Sequence, residues 1–312
     1  MKKIWVLLLC VAALSLFSAC ARRDSADGPL RFGLMVDANA LPLIIARERG
    51  YFEEEGARVQ LIQFHNSQER DAAIQAGQVD GVISDLLAAS FMTAAGGDFR
   101  ITSLTNERFG IVAGPGSGVR RLEDLRGRRL GISINTIIQY TVDAQFAGVG
   151  VPMDEYEVVG IPNQLLRLEM LLNDLVDAAA FPEPLLTTAV MRGATLLSTT
   201  DAVGVRAGVK LFSQGFLDRR LDDVRAFYRA YYRAAMAINA DPDSFRAYLS
   251  QIGNFPEIVK DAFDFVVYSK PSMIDDSDIE RALDWLARRN LLNANLSPAD
   301  LIDDRAIEQW LN

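Results

Sequence analysis

The chain has 312 residues and a formal net charge of −9, and half of its residues are apolar. This length predicts one large or two medium domains, and the composition is that of a globular protein. The acidic balance argues against a nucleic-acid partner. A single histidine and two cysteines are too few for a His- or Cys-based zinc site or for a Ser-His or Cys-His enzyme, and we expect neither metal nor cofactor.

The first residues predict an export signal. Lys2 and Lys3 precede an apolar run over 4–17, which ends in small residues. The run is too short to cross a bilayer comfortably, which takes about 20 residues. This order of a basic start, an apolar stretch and small residues predicts a signal peptide over 1–19.

Residues 17–20, Phe-Ser-Ala-Cys, resemble the lipobox of bacterial lipoproteins. The resemblance implies a lipid on Cys20 and a lipidated tether over 20–29. A simple signal peptide with an incidental cysteine is the alternative. Cleavage before Cys20 also removes Cys10, so the exported chain has no disulfide and depends on its core alone.

Strand-like and helical patterns alternate over residues 30–97. Short apolar runs at 30–37, 58–64 and 81–84 are typical of buried parallel strands, and segments with helical spacing lie between them. This order predicts a mainly parallel sheet with helices on both faces.

The same order of elements returns about 97 residues further on. Arg31 is matched by Arg129, and Asp80 by Asp177. Further pairs at the same spacing are Gly33 and Gly131, Asn66 and Asn163, Arg70 and Arg167, Val79 and Val176, and Gly96 and Gly193. The duplication predicts two similar α/β lobes rather than one large sheet.

The segments outside the two repeats are a glycine-rich stretch and a helical tail. Residues 114–118 lack the Lys-Ser/Thr of a phosphate-binding loop and are interpreted as a turn or a crossing between lobes. Helices are predicted at 219–239, 241–251, 256–266, 277–290 and 298–311. We expect this tail to pack on the first lobe and to add no site of its own.

Candidate ligand residues follow the predicted strands, because open parallel sheets bind ligands beyond the carboxyl ends of their strands, where helices begin. The polar candidates are Asp37, Asn39, Asn66, Ser67, Ser84 and Asp85 in the first lobe, and Asn135, Thr136 and Glu183 in the second. Tyr140 and Phe181, with Phe64, are candidates for stacking on a flat ring. The asparagines and serines are equally suited to be helix caps and nothing more.

His65, the only imidazole, is interpreted as structural, with a ligand contact as the alternative. No pair of carboxylates with separate acid and base roles is evident. We therefore predict a binding protein rather than an enzyme.

Four segments resemble, in matching order, the nitrate/sulfonate/taurine and thiamine-pyrimidine-precursor group of periplasmic binding proteins. They are 41–52, 76–81, 122–131 and 175–184. The resemblance implies an α/β periplasmic-binding-protein fold of type II, with two lobes joined by two crossover strands and a helical C-terminal tail. By that resemblance the first lobe comprises 30–115 and 204–312, and the second 116–203.

The resemblance also implies a function. Such proteins close two lobes on a small ligand and deliver it to an ABC permease driven by a cytoplasmic ATPase. The ligand shifts the population towards the closed form because only that form contacts it from both sides. We expect a monomer without nucleic-acid partners, held by its lipid on the periplasmic or cell-surface face of a membrane.

Ligand identity remains open among three classes. Glu183 aligns with a glutamate of the pyrimidine-binding members, so we rank a thiamine-pyrimidine-precursor heterocycle first, a sulfonate or taurine second and a flavin third. Against the first class, residues 36–38 lack the tryptophan of those members. A pyrimidine-synthase-like enzyme is an alternative, although the histidine it consumes is replaced by Asp85 and its cysteine-rich stretch is missing. A lipoprotein without a ligand, acting as sensor or adhesin, is the third hypothesis.

Overall fold

The computed structural model describes residues 28–35, 37–152, 155–251 and 255–311. The predicted signal peptide, the lipidation site at Cys20 and most of the tether lie outside these ranges. Within them, no helix has the length and apolar character needed to traverse a bilayer.

The described residues form ten strands and thirteen α-helices. The strands are β1 (Leu30–Met35), β2 (Val59–Phe64), β3 (Gly81–Asp85), β4 (Phe99–Leu104), β5 (Phe109–Ala113), β6 (Arg129–Ile132), β7 (Glu157–Gly160), β8 (Ala178–Pro182), β9 (Thr195–Thr199) and β10 (Gly208–Ser213). The helices are α1 (Leu41–Glu48), α2 (Tyr51–Glu54), α3 (Ser67–Gln75), α4 (Leu86–Ala94), α5 (Ile137–Gly148), α6 (Gln164–Leu172), α7 (Leu185–Met191), α8 (Thr200–Val203), α9 (Gln214–Ala240), α10 (Arg246–Gln251), α11 (Asp276–Arg288), α12 (Pro298–Leu301) and α13 (Glu308–Leu311).

The strands form two five-stranded sheets, which confirms the prediction of two α/β lobes. The first sheet has the order β2-β1-β3-β10-β4 and the second β7-β6-β8-β5-β9. Each sheet is mainly parallel and contains one antiparallel strand. That strand is β10 in the first sheet and β5 in the second, and each enters from the other lobe.

The lobe boundary differs from the predicted one. The sequence placed residues up to 115 in the first lobe, but β5 pairs with β8 and β9 of the second sheet. The chain therefore crosses between lobes at 105–108, before β5, and returns at 204–207, between α8 and β10. The glycine-rich stretch 114–118 is a turn inside the second lobe rather than a crossing.

The duplication is visible in the contacts as well as in the elements. Arg31 donates its backbone N–H and its guanidinium to Asp80. Arg129 makes the same bonds to Asp177 in the second lobe, with 2.8 Å from its backbone nitrogen and 3.1 Å from Nε to Oδ2. In both lobes this pair fixes the start of the first strand against the turn that leads into the third.

Apolar cores cover both faces of the first sheet. On one face the long helix α9 packs on the strands, and the rings of Phe32 and Phe227 lie 4.6 Å apart. On the other face α4 and the tail helix α11 enclose Val82, Ile101 and Trp285. Each such side chain contributes about 1.5–3 kcal/mol when fully buried.

The C-terminal tail departs from its prediction in three ways. The helix predicted at 298–311 is replaced by the two four-residue helices α12 and α13. Residues 256–266 form only a short 3-10 turn at Glu257–Val259, and the apolar side chains of the segment pack beside α9 from irregular backbone. The tail packs on the first lobe as predicted, but it also contacts the second. There Asp143 of α5 accepts hydrogen bonds from Trp285 and Arg289.

Candidate functional site

A cavity of about 680 Å³ lies between the lobes, where the carboxyl ends of the strands of both sheets face each other. This volume is within the usual range of about 300–1,000 Å³ for small-molecule sites. Eight of the eleven predicted ligand residues line the cavity, namely Asp37, Asn39, Asn66, Ser67, Ser84, Asp85, Thr136 and Glu183. Choosing positions after strand ends therefore placed most of the predicted residues at the cavity.

Three predicted residues do not line this cleft. Tyr140 packs edge-on against Trp285, with ring centroids 5.8 Å apart, inside an apolar cluster. Phe181 is fully buried beneath the guanidinium of Arg167. Asn135 has a left-handed backbone, with φ 58°, and lines a neighbouring cavity of about 700 Å³ instead.

The aromatic side chains that line the cleft therefore match the prediction only in part. Phe64 lines the cleft as expected, and Phe109 lines it from the start of β5. His65 is exposed at the same cavity, and its backbone N–H donates to Glu69.

Several lining residues are also helix caps, as the alternative interpretation of these positions predicted. Asn66 accepts the Glu69 N–H at 2.9 Å, and Thr136 accepts the Ile138 N–H at 3.2 Å. Asp85 accepts the Ala88 N–H at 2.9 Å. The capping hydrogen bond holds one oxygen of each side chain in place, so the side chain has a defined position at the cleft wall.

Three carboxyl groups crowd the first-lobe wall. Burial raises the pKa of Asp37 to about 7. Burial also raises the pKa of Asp85, although the Arg70 cation opposes the shift. The pKa of Glu107 is raised well above its usual value, first by burial and then by the Asp85 and Asp37 carboxyls beside it. Burial therefore favours the protonated form of all three carboxyls, and Asp37 exchanges its proton near pH 7.

Polar atoms without partners lie beside these carboxyls. Asn39 Oδ1, Ser84 Oγ and Thr105 Oγ1 are buried and accept or donate no hydrogen bond within the described ranges. An unsatisfied buried polar group costs about 1–3 kcal/mol. A polar ligand that reached these atoms would recover that cost.

The second-lobe wall carries one buried acid. Glu183 is 3% exposed and accepts hydrogen bonds from the backbone and side chain of Thr187, at 3.1 and 2.8 Å. Burial raises its pKa. The carboxyl lies opposite the first-lobe cluster, as its position after β8 predicted.

The two arginines that line the cleft are already paired with acids. Arg108 bonds to Asp201 and to Asp264 of the tail. Arg70 bonds to Asp71 at 2.8 Å and lies 3.7 Å from Asp85. Since both cations are compensated, the cleft lining is acidic in balance.

Sequence reasoning missed Glu107, Arg108 and Pro256 as lining residues. Glu107 and Arg108 belong to the crossing at 105–108, which the sequence analysis had placed within the first lobe. The sequence did contain a signal for this crossing, because a charged pair separates the two apolar runs that form strands β4 and β5. Across the described part of the chain, no group of three His, Cys, Asp or Glu side chains is arranged to hold a metal ion.

Comparison with known protein families identifies the family of this chain. The sequence profile described as NMT1/THI5 like matches residues 37–245. The chain belongs to the NMT1/THI5-like family. The matched region begins just after β1, includes the other nine strands and ends shortly after the long tail helix α9.

Two curated relatives have different activities. A 4-amino-5-hydroxymethyl-2-methylpyrimidine phosphate synthase of Schizosaccharomyces pombe is 33% identical over 95 residues, which cover 29% of this chain and 27% of the synthase. A putative aliphatic sulfonates-binding protein of Bacillus subtilis is 21% identical over 245 residues, 74% of this chain and 73% of that protein. The match to the synthase thus spans about a quarter of its length.

A solved structure confirms the fold. The periplasmic aliphatic sulphonate-binding protein SsuA of Escherichia coli superposes with a TM-score of 0.77 at 13% identity, over 88% of this chain and 92% of that one. The expected two-lobed periplasmic-binding-protein fold is therefore confirmed.

Proposed function

We propose that this protein is the exported solute-binding component of an ABC importer, held at a membrane by a lipid on Cys20. Its ligand is a small nitrogen heterocycle with an amino group beside a ring nitrogen, of the thiamine-pyrimidine-precursor type. Family membership and the cleft between two lobes support the receptor role. The carboxyl cluster of Asp37, Asp85 and Glu107 supports the ligand class.

The chemistry of the cluster matches an aminopyrimidine edge. A carboxyl group that keeps its proton donates through its O–H and accepts through its carbonyl oxygen. An amino group beside a ring nitrogen offers one donor and one acceptor at the same spacing. The two edges form a pair of hydrogen bonds, one donated by the carboxyl O–H and one by the amino group. Burial raises the pKa of Glu107 and so favours the protonated form that donates the first of them.

A sulfonate is a poorer match to the same wall. Its three oxygens only accept hydrogen bonds, and it keeps its negative charge at every physiological pH. Placed at the first-lobe wall, it would meet three acids, while Arg70 and Arg108 are already paired. Each carboxyl of this wall that loses its proton repels the sulfonate, because like charges in a poorly solvated site repel strongly.

Closure follows from the distribution of these groups over the two lobes. Glu107 and Asp37 approach the ligand from the first lobe, and Glu183 approaches it from the second. A ligand that contacts both walls binds the closed form more tightly than the open one, and this difference drives the population towards closure. The permease would then distinguish loaded from empty receptor.

A thermal-shift comparison tests the proposal. We expect 4-amino-5-hydroxymethyl-2-methylpyrimidine to raise the melting temperature of the wild-type chain, since binding at 100 times Kd adds about 2.7 kcal/mol. Ethanesulfonate and riboflavin at equal concentration should raise it less than the pyrimidine does. Stabilisation by the sulfonate and not by the pyrimidine would assign the cleft to the other ligand class.

A further inference from the structure

A buried arginine lies behind the second-lobe wall of the cleft. Arg167 of α6 is completely inaccessible to solvent. Its Nη1 donates to Ser133 Oγ and to the Ile161 carbonyl, both at 2.9 Å. Its Nε and Nη2 have no hydrogen-bond partner among the residues that the structure describes.

The positive charge of this arginine is not neutralised by an acid. Burial lowers the pKa of Arg167 to about 10, and no carboxylate contributes to the shift. The side chain therefore stays cationic at neutral pH. The face of Phe181, 5.2 Å from the guanidinium carbon, compensates only part of the cost of burying it.

The duplicated lobe shows what is missing. Arg70 is the equivalent arginine 97 residues earlier, and its helix α3 has the same nine-residue length as α6. Arg70 bonds to Asp71 and lies near Asp85. The positions 97 residues after these two acids are Leu168 and Pro182. The second lobe thus has the equivalent arginine but neither of the two equivalent acids.

The local structure is built around the arginine. Gly131 of β6 lies beside it, and a Cβ there would come within 3.4 Å of Arg167 Cγ and 3.2 Å of Ile161 Cδ1. Ser133 follows the same strand and lines the cleft. Because Ser133 Oγ accepts from Arg167, its own hydrogen is left to donate, and the acceptor beside it, the Pro162 carbonyl, is 3.5 Å away. Such a distance makes a weak hydrogen bond.

We propose that Ser133, with the Arg167 cation behind it, forms a subsite for an anionic oxygen group of the ligand, such as a phosphate, carboxylate or sulfonate. The ligand is then bipolar, with N–H donors at the first lobe and an anion at the second. Only its first-lobe end rests on the proposed function. The hydroxyl donates to the anion, and the buried guanidinium stabilises the charge through Ser133. Arg167 acts as a positioning residue and Ser133 as the contact.

Sulfate alone tests the subsite without any heterocycle. Melting temperatures are measured as sulfate replaces chloride at constant ionic strength, for the wild-type chain, Ser133→Ala, Arg167→Met and Arg192→Met. Arg192 is an exposed cation of the same lobe, paired with Glu169, and serves as the matched control. We expect a saturable rise in the wild type and in Arg192→Met. The other two variants should show only the general, unsaturated stabilisation by sulfate.

The subsite is disproved if the saturable rise is missing from the wild type, or if it persists in Ser133→Ala and Arg167→Met. Should Arg167→Met fail to fold, Ser133→Ala still decides, because it removes one hydroxyl from the cleft wall and leaves the core intact.

A matched pair of ligands separates this inference from the proposed function. Calorimetry compares 4-amino-5-hydroxymethyl-2-methylpyrimidine with its phosphate ester. We expect the ester to bind at least about tenfold more tightly to the wild type, and the preference to vanish in Arg167→Met while the alcohol binds as before. Equal binding of both compounds overturns the subsite but keeps the proposed function. Binding of neither, with the sulfate response intact, overturns the proposed function and keeps the subsite.

Discussion

The indole N–H of Trp285 donates to Asp143 at 2.8 Å and thereby joins the C-terminal tail to the second lobe. Asp143 also accepts from Arg289 at 2.6 Å and from the Tyr156 hydroxyl at 2.7 Å, and it is 3% exposed. Helix α11, which carries Trp285, packs on α4 of the first lobe. Outside the two crossings, this cluster is therefore a further contact between the lobes.

Removing the indole donor should destabilise the protein. In Trp285→Phe the buried carboxylate of Asp143 loses one of its three donors, and the edge-on contact with Tyr140 is altered. We expect a loss of about 1–3 kcal/mol in the free energy of unfolding, measured by urea titration. Trp310→Phe is the control, because Trp310 is only half-buried and should give a smaller loss. Equal stability of Trp285→Phe and the wild type would show that the cluster does not stabilise the fold.

Glu107 should contribute to binding through the neutral form of its carboxyl. A glutamine presents the same donor and acceptor pattern as a protonated glutamate, whereas alanine presents neither. We expect Glu107→Gln to keep the affinity for 4-amino-5-hydroxymethyl-2-methylpyrimidine within about threefold, and Glu107→Ala to weaken it at least about tenfold. Calorimetry at pH 7 measures both. Equal affinities in the two variants would remove Glu107 from the site.

Gly208 should be needed for the position of Glu107. A Cβ at 208 would come within 2.2 Å of both Glu107 Oε2 and Thr105 Oγ1. These are the ends of flexible side chains, so Gly208→Ala should displace them and weaken pyrimidine binding with little change in melting temperature. Gly148→Ala is the control, since the nearest atom to its Cβ, Val203 Cγ1, lies at 3.3 Å and far from the cleft. Unchanged affinity in Gly208→Ala would contradict this role.

Binding should weaken as the carboxyl cluster ionises. Asp37 has its pKa raised to about 7, so it carries a proton below that pH and loses it above. A carboxylate keeps the acceptor and loses the donor that the ring nitrogen needs. We expect the dissociation constant for the pyrimidine to be flat from pH 5.5 to 6.5 and to rise between pH 7 and 8.5. Asp37→Asn should flatten this rise, and a profile identical to that of the wild type would exclude Asp37.

The buried Lys210 should cost stability near neutral pH. Burial lowers its pKa from 10.5 to about 7, while Ser103 and Leu104 offer only neutral acceptors. Between pH 7 and 10.5 the unfolded chain binds the proton that the folded chain has released, so stability from this group rises with pH in that window. Lys210→Met should therefore raise the melting temperature most below pH 7, and the gain should shrink by pH 9.5. If the gain in melting temperature is the same at every pH, the buried charge of Lys210 is not its cause.

Much of the fold could be predicted because its signals are local. Asn66, Asp85 and Thr136 are caps at strand ends, and each was placed at the cleft from its neighbours in the sequence alone. The repeated pairs of arginine and aspartate predicted two lobes, and Arg31 and Arg129 do make equivalent contacts in them.

The remaining features depend on long-range contacts. Residues 99–113 contain two apolar runs, and only pairing with the second sheet shows that the lobe boundary lies between them. Nothing local indicates that Asp143 meets Trp285, 142 residues away. Tyr140 was expected to stack on a ligand ring in the cleft, but Trp285 packs against it instead.

Calorimetric titration of the wild-type chain with 4-amino-5-hydroxymethyl-2-methylpyrimidine and, separately, with ethanesulfonate tests the central claim most directly. The account predicts one pyrimidine bound per chain with micromolar or tighter affinity, and binding of the sulfonate that is at least about tenfold weaker than that of the pyrimidine. Binding of the sulfonate with no heat from the pyrimidine would contradict it.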